Sequence, residues 1–419
     1  MSLWSRKMNY FRNKVSVVYL LSSMVYNIGK YLIYLQILLV SCTHTLSIKN
    51  EKKGELTAKY KLVISSEKKI LLDDNSAPKP PYIQIIKEES DEQILTFLNP
   101  YMNGIYFYDF ENGILVRKIV YKKEGPDAIR LGGYFIKNMD SIYVYTGPLP
   151  ELALTDSSGQ VKCRYSLIGN RDRKDREWLK YYPQYLFTTA NPLIETPEKL
   201  ILTGVSPFSI SDSLTRKFKF TVSFDMYSGN VEFMHSYPVE LYGFDVNWND
   251  PVFMQPYPVL SPAGELIYSF PISHNVYVSQ RNEECYKTIY AGSNLASTIK
   301  SIDNSRNSTS KEIILNHFLK HDLYAGILHD PYRNVYYRFM FQGISDLTIK
   351  TSVGEKPVVV IIMDENFNYM GETVIGQWEK WNFHNSFVTS EGLMIEFFDP
   401  ELDSIEEYLI FKILTIEKL

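Results

Sequence analysis

The sequence predicts an all-β fold, a six-bladed β-propeller, on three observations. Short runs rich in β-branched and aromatic residues recur along the chain, separated by turn clusters rather than long helical patterns. A strand–turn–strand unit repeats, with Asp closing the first strand and Gly or Asn following three or four residues later. An unpaired early run, Glu55–Ser65, is the natural partner for Tyr408–Ile416 in a last group that is one strand short. That pairing would close a ring and remove two open sheet edges, which favours a propeller over a sandwich.

The clearest unit is Gly104–Tyr121, where Asn112-Gly113 supplies the φ > 0 positions of a hairpin turn between two β-branched and aromatic runs. Aligned on it, the first blade uses Tyr82–Ile86, Ile94–Leu98, Gly104–Phe110 and Ile114–Tyr121. The second uses Gly133–Asn138, Ser141–Thr146, Glu151–Asp156 and Val161–Leu167. The third uses Pro192–Thr196, Lys199–Thr203, Phe218–Asp225 and Val231–Tyr237. The fourth uses Pro256–Ser261, Glu265–Phe270, Asn275–Ser279 and Tyr286–Tyr290. The fifth uses Tyr324–His329, Val335–Phe341, Pro357–Asp364 and Tyr369–Ile375, and the sixth Asn385–Thr389, Leu393–Phe398 and Tyr408–Ile416. The repeated turn reads Asp109…Gly113, Asp156…Gly159, Asp225…Gly229 and Asp364…Asn368. A polar insertion at about 291–322 interrupts the pattern and carries a short helix, Lys311–Lys320. His317 and His321 stand four apart at its end; two His without further ligands read as a solvated helix face rather than a metal site.

The start of the chain reads differently. Residues 1–41 hold no acid but carry Arg6, Lys7, Arg12, Lys14 and Lys30, and Tyr31–Val40 is an apolar run of signal-peptide length. It ends Leu39-Val40-Ser41-Cys42, which resembles the bacterial lipobox. The resemblance implies cleavage before Cys42 and a lipid on its thiol, leaving 1–41 as signal peptide, 42–54 as a flexible tether and 55–419 as the propeller domain. Met24 is the start codon that would give a signal of ordinary length. The alternative, an uncleaved anchor over Val15–Val40, would place Asn27 and Lys30 in the bilayer.

Bulk composition excludes some functions. The 419 residues are 45% hydrophobic and 22% charged with a formal net charge of −4, which leaves no electrostatic footprint for nucleic acid. Aromatics reach 14%, as pleated surfaces favour; the other reading is an aromatic surface for sugars or peptides. Cys163 and Cys285 fall two blades apart and form no CxxC pair, so free, buried thiols are expected.

The lipobox, the Asp…Gly hairpins and the segment Tyr324–Phe339 together resemble exported lipoproteins of the Bacteroidetes that belong to a family of unknown function with a six-bladed propeller, of the TolB-like or NHL-like class. The resemblance implies a cell-envelope location, lipid-anchored at the outer membrane, and transfers no catalytic residue. No GxSxG, HExxH, P-loop or GxGxxG motif is present, and no catalytic residue, cofactor or metal site is assigned. Trp178, Trp248, Trp378 and Trp381 all fall between the last strand of one blade and the first of the next. Such connections share one propeller face, so the four Trp, with Arg130 and His384, form the candidate site for an envelope protein, peptide or saccharide. Packing between blades, or plugging the channel, is the competing account. Arg333 is expected to be solvated in a turn, and Arg338 to form an ion pair between blades. The function expected is a membrane-anchored binding or scaffold module; the alternative is a glycan-acting hydrolase or lyase, which would need a deep channel with convergent carboxylates.

Overall fold

The computed structural model describes residues 45–419 except 88–91, 147–149, 169–179, 208–209, 244–245, 247, 249, 280–283, 303–309 and 402–404. Cys42, the signal segment and Trp178 lie outside the described residues.

After β1 (Ser47–Ile48) and the long β2 (Tyr60–Leu71), the chain lays down four-stranded antiparallel sheets in succession. The first is β3 (Ile83–Lys87), β4 (Gln93–Asn99), β5 (Gly104–Asp109) and β6 (Leu115–Val120). The second is β7 (Leu131–Asn138), β8 (Ser141–Thr146), β9 (Glu151–Thr155) and β10 (Val161–Ser166). The third is β11 (Ile194–Glu195), β12 (Lys199–Thr203), β13 (Lys219–Asp225) and β14 (Val231–Ser236). The fourth is β15 (Tyr257–Leu260), β16 (Leu266–Ser269), β17 (Asn275–Ser279) and β18 (Lys287–Tyr290). Then come β19 (Ile299–Lys300), which pairs with β1, and helix α1 (Lys311–Lys320). The fifth blade is β20 (Leu323–Asp330), β21 (Val335–Phe341), β22 (Pro357–Asp364) and β23 (Tyr369–Gln377). Last are β24 (Trp381–Val388), β25 (Leu393–Phe397) and β26 (Tyr408–Lys418).

The final blade is completed by β2, in the order β24-β25-β26-β2. The pairing runs from Tyr60 opposite Lys418 to Leu71 opposite Tyr408, broken by an irregularity between Ile64 and Ser66. A parallel bridge from Tyr60 to Gly371 joins this blade to β23, so the two blades form one eight-stranded sheet. Only glycine fits there, because a Cβ on Gly371 would lie 1.9 Å from the Tyr60 carbonyl oxygen. Counted by strand order, the described residues make six four-stranded units, a β-propeller closed by its own N-terminal strand.

The closing strand begins five residues later than expected from Glu55–Ser65 and continues to Leu71. Of the tether expected over 42–54, the described residues 45–54 are held rather than free. β1 pairs with β19, Asn50 Nδ2 donates to the carbonyls of Ser293 and Ala296, and Leu56 N donates to Asn294 Oδ1 at 3.1 Å. The insertion therefore serves as a dock for the N-terminal segment.

The aromatic content is spent between blades. Tyr82 meets Tyr134 edge-on at 5.0 Å, Tyr143 meets Phe224 at 5.9 Å, and Phe220 meets Tyr268 at 5.1 Å. Each ring removed from water stabilises by about 1.5–3 kcal/mol, and each pair adds about 0.5–1.5 kcal/mol. The Asp turns form as read: Asp109 Oδ1 accepts from Asn112 N, Asp156 Oδ1 from Ser158 N, Asp225 Oδ1 from Ser228 N and Asp364 Oδ1 from Asn368 N. Gly113, Gly159 and Gly229 take the left-handed position, but in the fourth copy Phe367 does, at φ 62°, rather than Asn368. Stacking of the Phe367 ring on Tyr336 at 4.7 Å offsets that strain.

The charged residues depart further from expectation. Arg338 is fully buried and joins blades four and five, yet its partners are not acids. Its guanidinium donates to Ser269 Oγ and to the carbonyls of Phe270, Ser273, His274, Asn275 and Ala291 at 2.8–3.5 Å, and lies 3.9 Å over the Tyr324 ring. Burial lowers its pKa to about 10. Arg333 is not solvated either: it pairs with buried Asp330 at 3.0 Å and donates to the carbonyls of Thr389 and Ser390, tying blade five to blade six. Buried Lys356 donates to the carbonyls of Phe318 and His321 at the end of α1, satisfying acceptors a helix leaves open. His317 and His321 stack on each other at 4.0 Å, part-buried rather than solvated. Cys163 and Cys285 are free but exposed, because both sit at the outer edges of blades.

Candidate functional site

The first strand of each blade lines the axis, with β15 beside β20 and β20 beside β24. A propeller leaves a channel there. In this chain Tyr185–Asn191, at the end of the connection from blade two to blade three, packs into it. Phe187 packs against Gly133 of β7, where a Cβ would come within 2.5 Å of its ring, and meets Tyr145 at 5.1 Å. Thr189 Oγ1 accepts from Ile83 N of β3 and donates to Asn385 Oδ1 of β24. Ala190 N donates to the His384 carbonyl at 3.0 Å, and Ala190 Cβ faces Gly326 of β20. Asn191 Nδ2 donates back to the carbonyls of Leu186 and Thr203. The segment from Tyr185 to Asn191 thus touches four of the first strands and leads into the fifth, β11. No periodicity marks it in the sequence; its only signal is a cluster of small polar residues, Thr-Thr-Ala-Asn, after an aromatic run.

Beneath this plug lies a buried carboxyl. Glu396 of β25 accepts from Lys79 N at 2.6 Å on Oε1, and from Asn382 Nδ2 and Asn385 Nδ2 at 2.6 and 2.8 Å on Oε2. Asn385 Nδ2 also donates to the Pro80 carbonyl. Burial raises the Glu396 pKa, and the Asn385, Asn382 and Lys79 donors oppose it. Each oxygen is engaged, so the group cross-links blade six to the irregular segment entering blade one, where Lys79 has φ 59°. It is not offered to a substrate.

Of the described candidate residues, Trp378 and His384 come together, their rings 6.2 Å apart, and the others do not join them. Trp248 is 1% exposed; Nε1 donates to the Leu241 carbonyl at 2.9 Å and the indole packs on Tyr242 and Phe253. Trp381 is 5% exposed, begins β24 instead of preceding it, and packs on Gly376 and Phe397. Neither can form a rim: packing between elements is what they do. Trp378 is part-buried, its ring 4.7 Å from Phe341 and 6.2 Å from Phe318 and His384. Burial pulls the His384 pKa down to about 4, and its Nδ1 has no hydrogen-bond partner. Among the described candidate residues only Arg130 is exposed, ahead of β7. Among the described residues, no group of three or more His, Cys, Asp or Glu is placed to hold a metal ion.

A ring of antiparallel blades with a self-filled axis defines a β-propeller whose open surfaces are its faces and outer rim. Domain of unknown function (DUF4221) matches residues 59–374, and the chain belongs to that family. The chain is similar to the crystal structure of a DUF4221 member from Bacteroides vulgatus, with a TM-score of 0.71, 19% identity, and coverage of 87% of this chain and 100% of that one. It is also similar to a protein from Bacteroides fragilis classed as exported, with a TM-score of 0.51, 11% identity, and coverage of 85% and 95%. At these identities the likeness shows the fold. No curated protein matches the chain.

Proposed function

We propose that this chain is a cell-envelope lipoprotein, held by a lipid on Cys42, whose propeller acts as a binding or scaffold module rather than an enzyme. The observation that carries the reading is the filled axis. The place where a propeller would gather convergent side chains around a channel is occupied by Tyr185–Asn191, and the carboxyl beneath it has all its donors from the protein. Recognition then falls to the outer rim and faces, where a protein, peptide or saccharide partner is bound without chemistry. Membrane attachment is supported by the lipobox resemblance, and an envelope location also by the description of the Bacteroides fragilis neighbour as an exported protein. Among the described residues no helix is long and apolar enough to cross a membrane, so attachment is assigned to the segment ahead of them. Metabolic labelling with a palmitate analogue tests the anchor: label is expected on the wild-type chain and absent from Cys42→Ser. Equal label on both would refute lipidation at that thiol.

A further inference from the structure

Away from the axis, a cavity of about 370 Å³ opens at the seam between blades four and five. That is the small end of the range in which ligand sites fall, about 300–1,000 Å³. Three separate parts of the chain wall it: the docked N-terminal segment, strand β18 and the β22–β23 hairpin. Each wall is held in place by its own bonds. Tyr290 OH donates to Asn50 Oδ1 at 2.7 Å, and Gly54 N donates to the Asn294 carbonyl, which fix the N-terminal wall against β18 and the segment that follows it. Asp364 accepts from Asn366 N and Asn368 N, which fixes the hairpin. Walls fixed before a ligand arrives reduce the ordering cost of binding.

The lining chemistry is mixed in a particular way. Its charged groups are Lys52 and Glu55, opposite in sign, so their fields offset one another. Lys52 Nζ lies 4.7 Å over the Tyr290 ring, with part of its charge already directed to that face. Thr57 and the exposed Asn366 side chain supply both donors and acceptors. Leu56 and Tyr369 add apolar and aromatic surface. Burial first, and then the neighbouring Glu372, push the Tyr369 pKa up. A small space with both kinds of hydrogen-bonding group, an aromatic wall and no net charge fits a ring of hydroxyls with apolar faces. It does not fit a phosphate or a carboxylate-rich chain.

We infer that this seam binds a neutral saccharide, through a single pyranose unit at the end of a glycan. The inference deepens the reading of the propeller as a binding module, and it moves recognition from the axial face to the rim. It also gives the docked N-terminal segment a role, since Lys52, Glu55 and Thr57 come from it.

Saturation-transfer NMR on the full chain from residue 43 tests this, with glucose, galactose, mannose and N-acetylglucosamine as probes and glucuronate and glucose 6-phosphate as charged controls. At least one neutral sugar is expected to receive transfer, with affinity falling by about tenfold or more in Asn366→Ala and Glu55→Ala, about 1.4 kcal/mol. Both side chains are exposed, so both variants keep the wild-type circular dichroism, and Glu312→Ala, outside the cavity, keeps wild-type affinity. Transfer to no neutral sugar, transfer unchanged in both variants, or binding of the charged sugars alone would overturn the inference. The lipid-labelling result stands or falls separately, so failure of the sugar site is distinguishable from failure of the anchored-module reading.

Discussion

At the scale of single residues, buried polar groups decide what this propeller tolerates. Trp248 shows why a residue type alone misleads: tryptophan suits both binding rims and cores, and the connection it occupies is folded inward over Tyr242 and Phe253. Trp248→Ala is expected to cost about 3–5 kcal/mol by urea denaturation, through cavity formation and an orphaned Leu241 carbonyl. A loss under about 1 kcal/mol would show that the indole is dispensable to packing. The histidines give a pH signature. Burial draws His274, His317 and His384 from 6.5 down to about 4 in the folded chain. Between those values the unfolded chain binds more protons than the folded one, so stability falls as pH drops from 6.5 towards 4. His384 has an unpartnered Nδ1 and sits among Phe383 and Trp378, so His384→Leu removes one titrating group with little loss of contact. Denaturant midpoints at neutral and mildly acidic pH are expected to lie closer together in that variant than in wild type.

At the scale of elements, the strands were legible wherever local chemistry announces them. The Asp…Gly hairpins, the four strands of each of the first five blades and the closing partner of Tyr408–Ile416 are all written in alternation and turn residues. The boundaries of β2 were not, because the charged run Glu67-Lys68-Lys69 carries no strand pattern of its own and its ladder comes from pairing with β26. The stretch 42–54 reads as a linker for the same reason: the partner of Asn50 in its described part, Ser293, lies 243 positions away and leaves no mark on local composition. Gly371 is the point where this long-range pairing is most exacting. A methyl group there cannot coexist with the Tyr60 carbonyl, so Gly371→Ala must push β2 away from β23. The expected result is a loss of about 2–4 kcal/mol in stability and faster amide exchange at Tyr60–Leu62. Unchanged exchange there would show that the bridge between blades five and six carries no strain.

At the scale of the whole molecule, the ring is held by two devices, and only one was visible beforehand. The plug had no periodic signature because its contacts reach β3, β7, β20 and β24, each from a different blade, and no local pattern encodes a residue's distance from an axis. The closure did, since a strand without a partner at one end implied a partner at the other. The two make different demands. The plug fills space among strands that already pair, whereas β2 supplies the last ladder of a sheet whose neighbour, β26, carries Leu409, Ile410, Phe411, Ile413 and Leu414 in the core. Removing residues up to Leu71 would leave β26 as a long apolar edge with open backbone groups, the kind of edge that pairs with other chains. Ile70, fully buried against blade one, would be lost with it. A chain beginning at Leu72 is therefore expected to elute from size exclusion as large assemblies and to lose its cooperative urea transition, whereas Phe187→Ala, which only thins the plug, is expected to stay monomeric with one transition lowered by about 3 kcal/mol. A monomeric, cooperatively unfolding chain lacking β2 would mean that the ring closes through the other blades, and that the N-terminal strand decorates a structure it does not hold together.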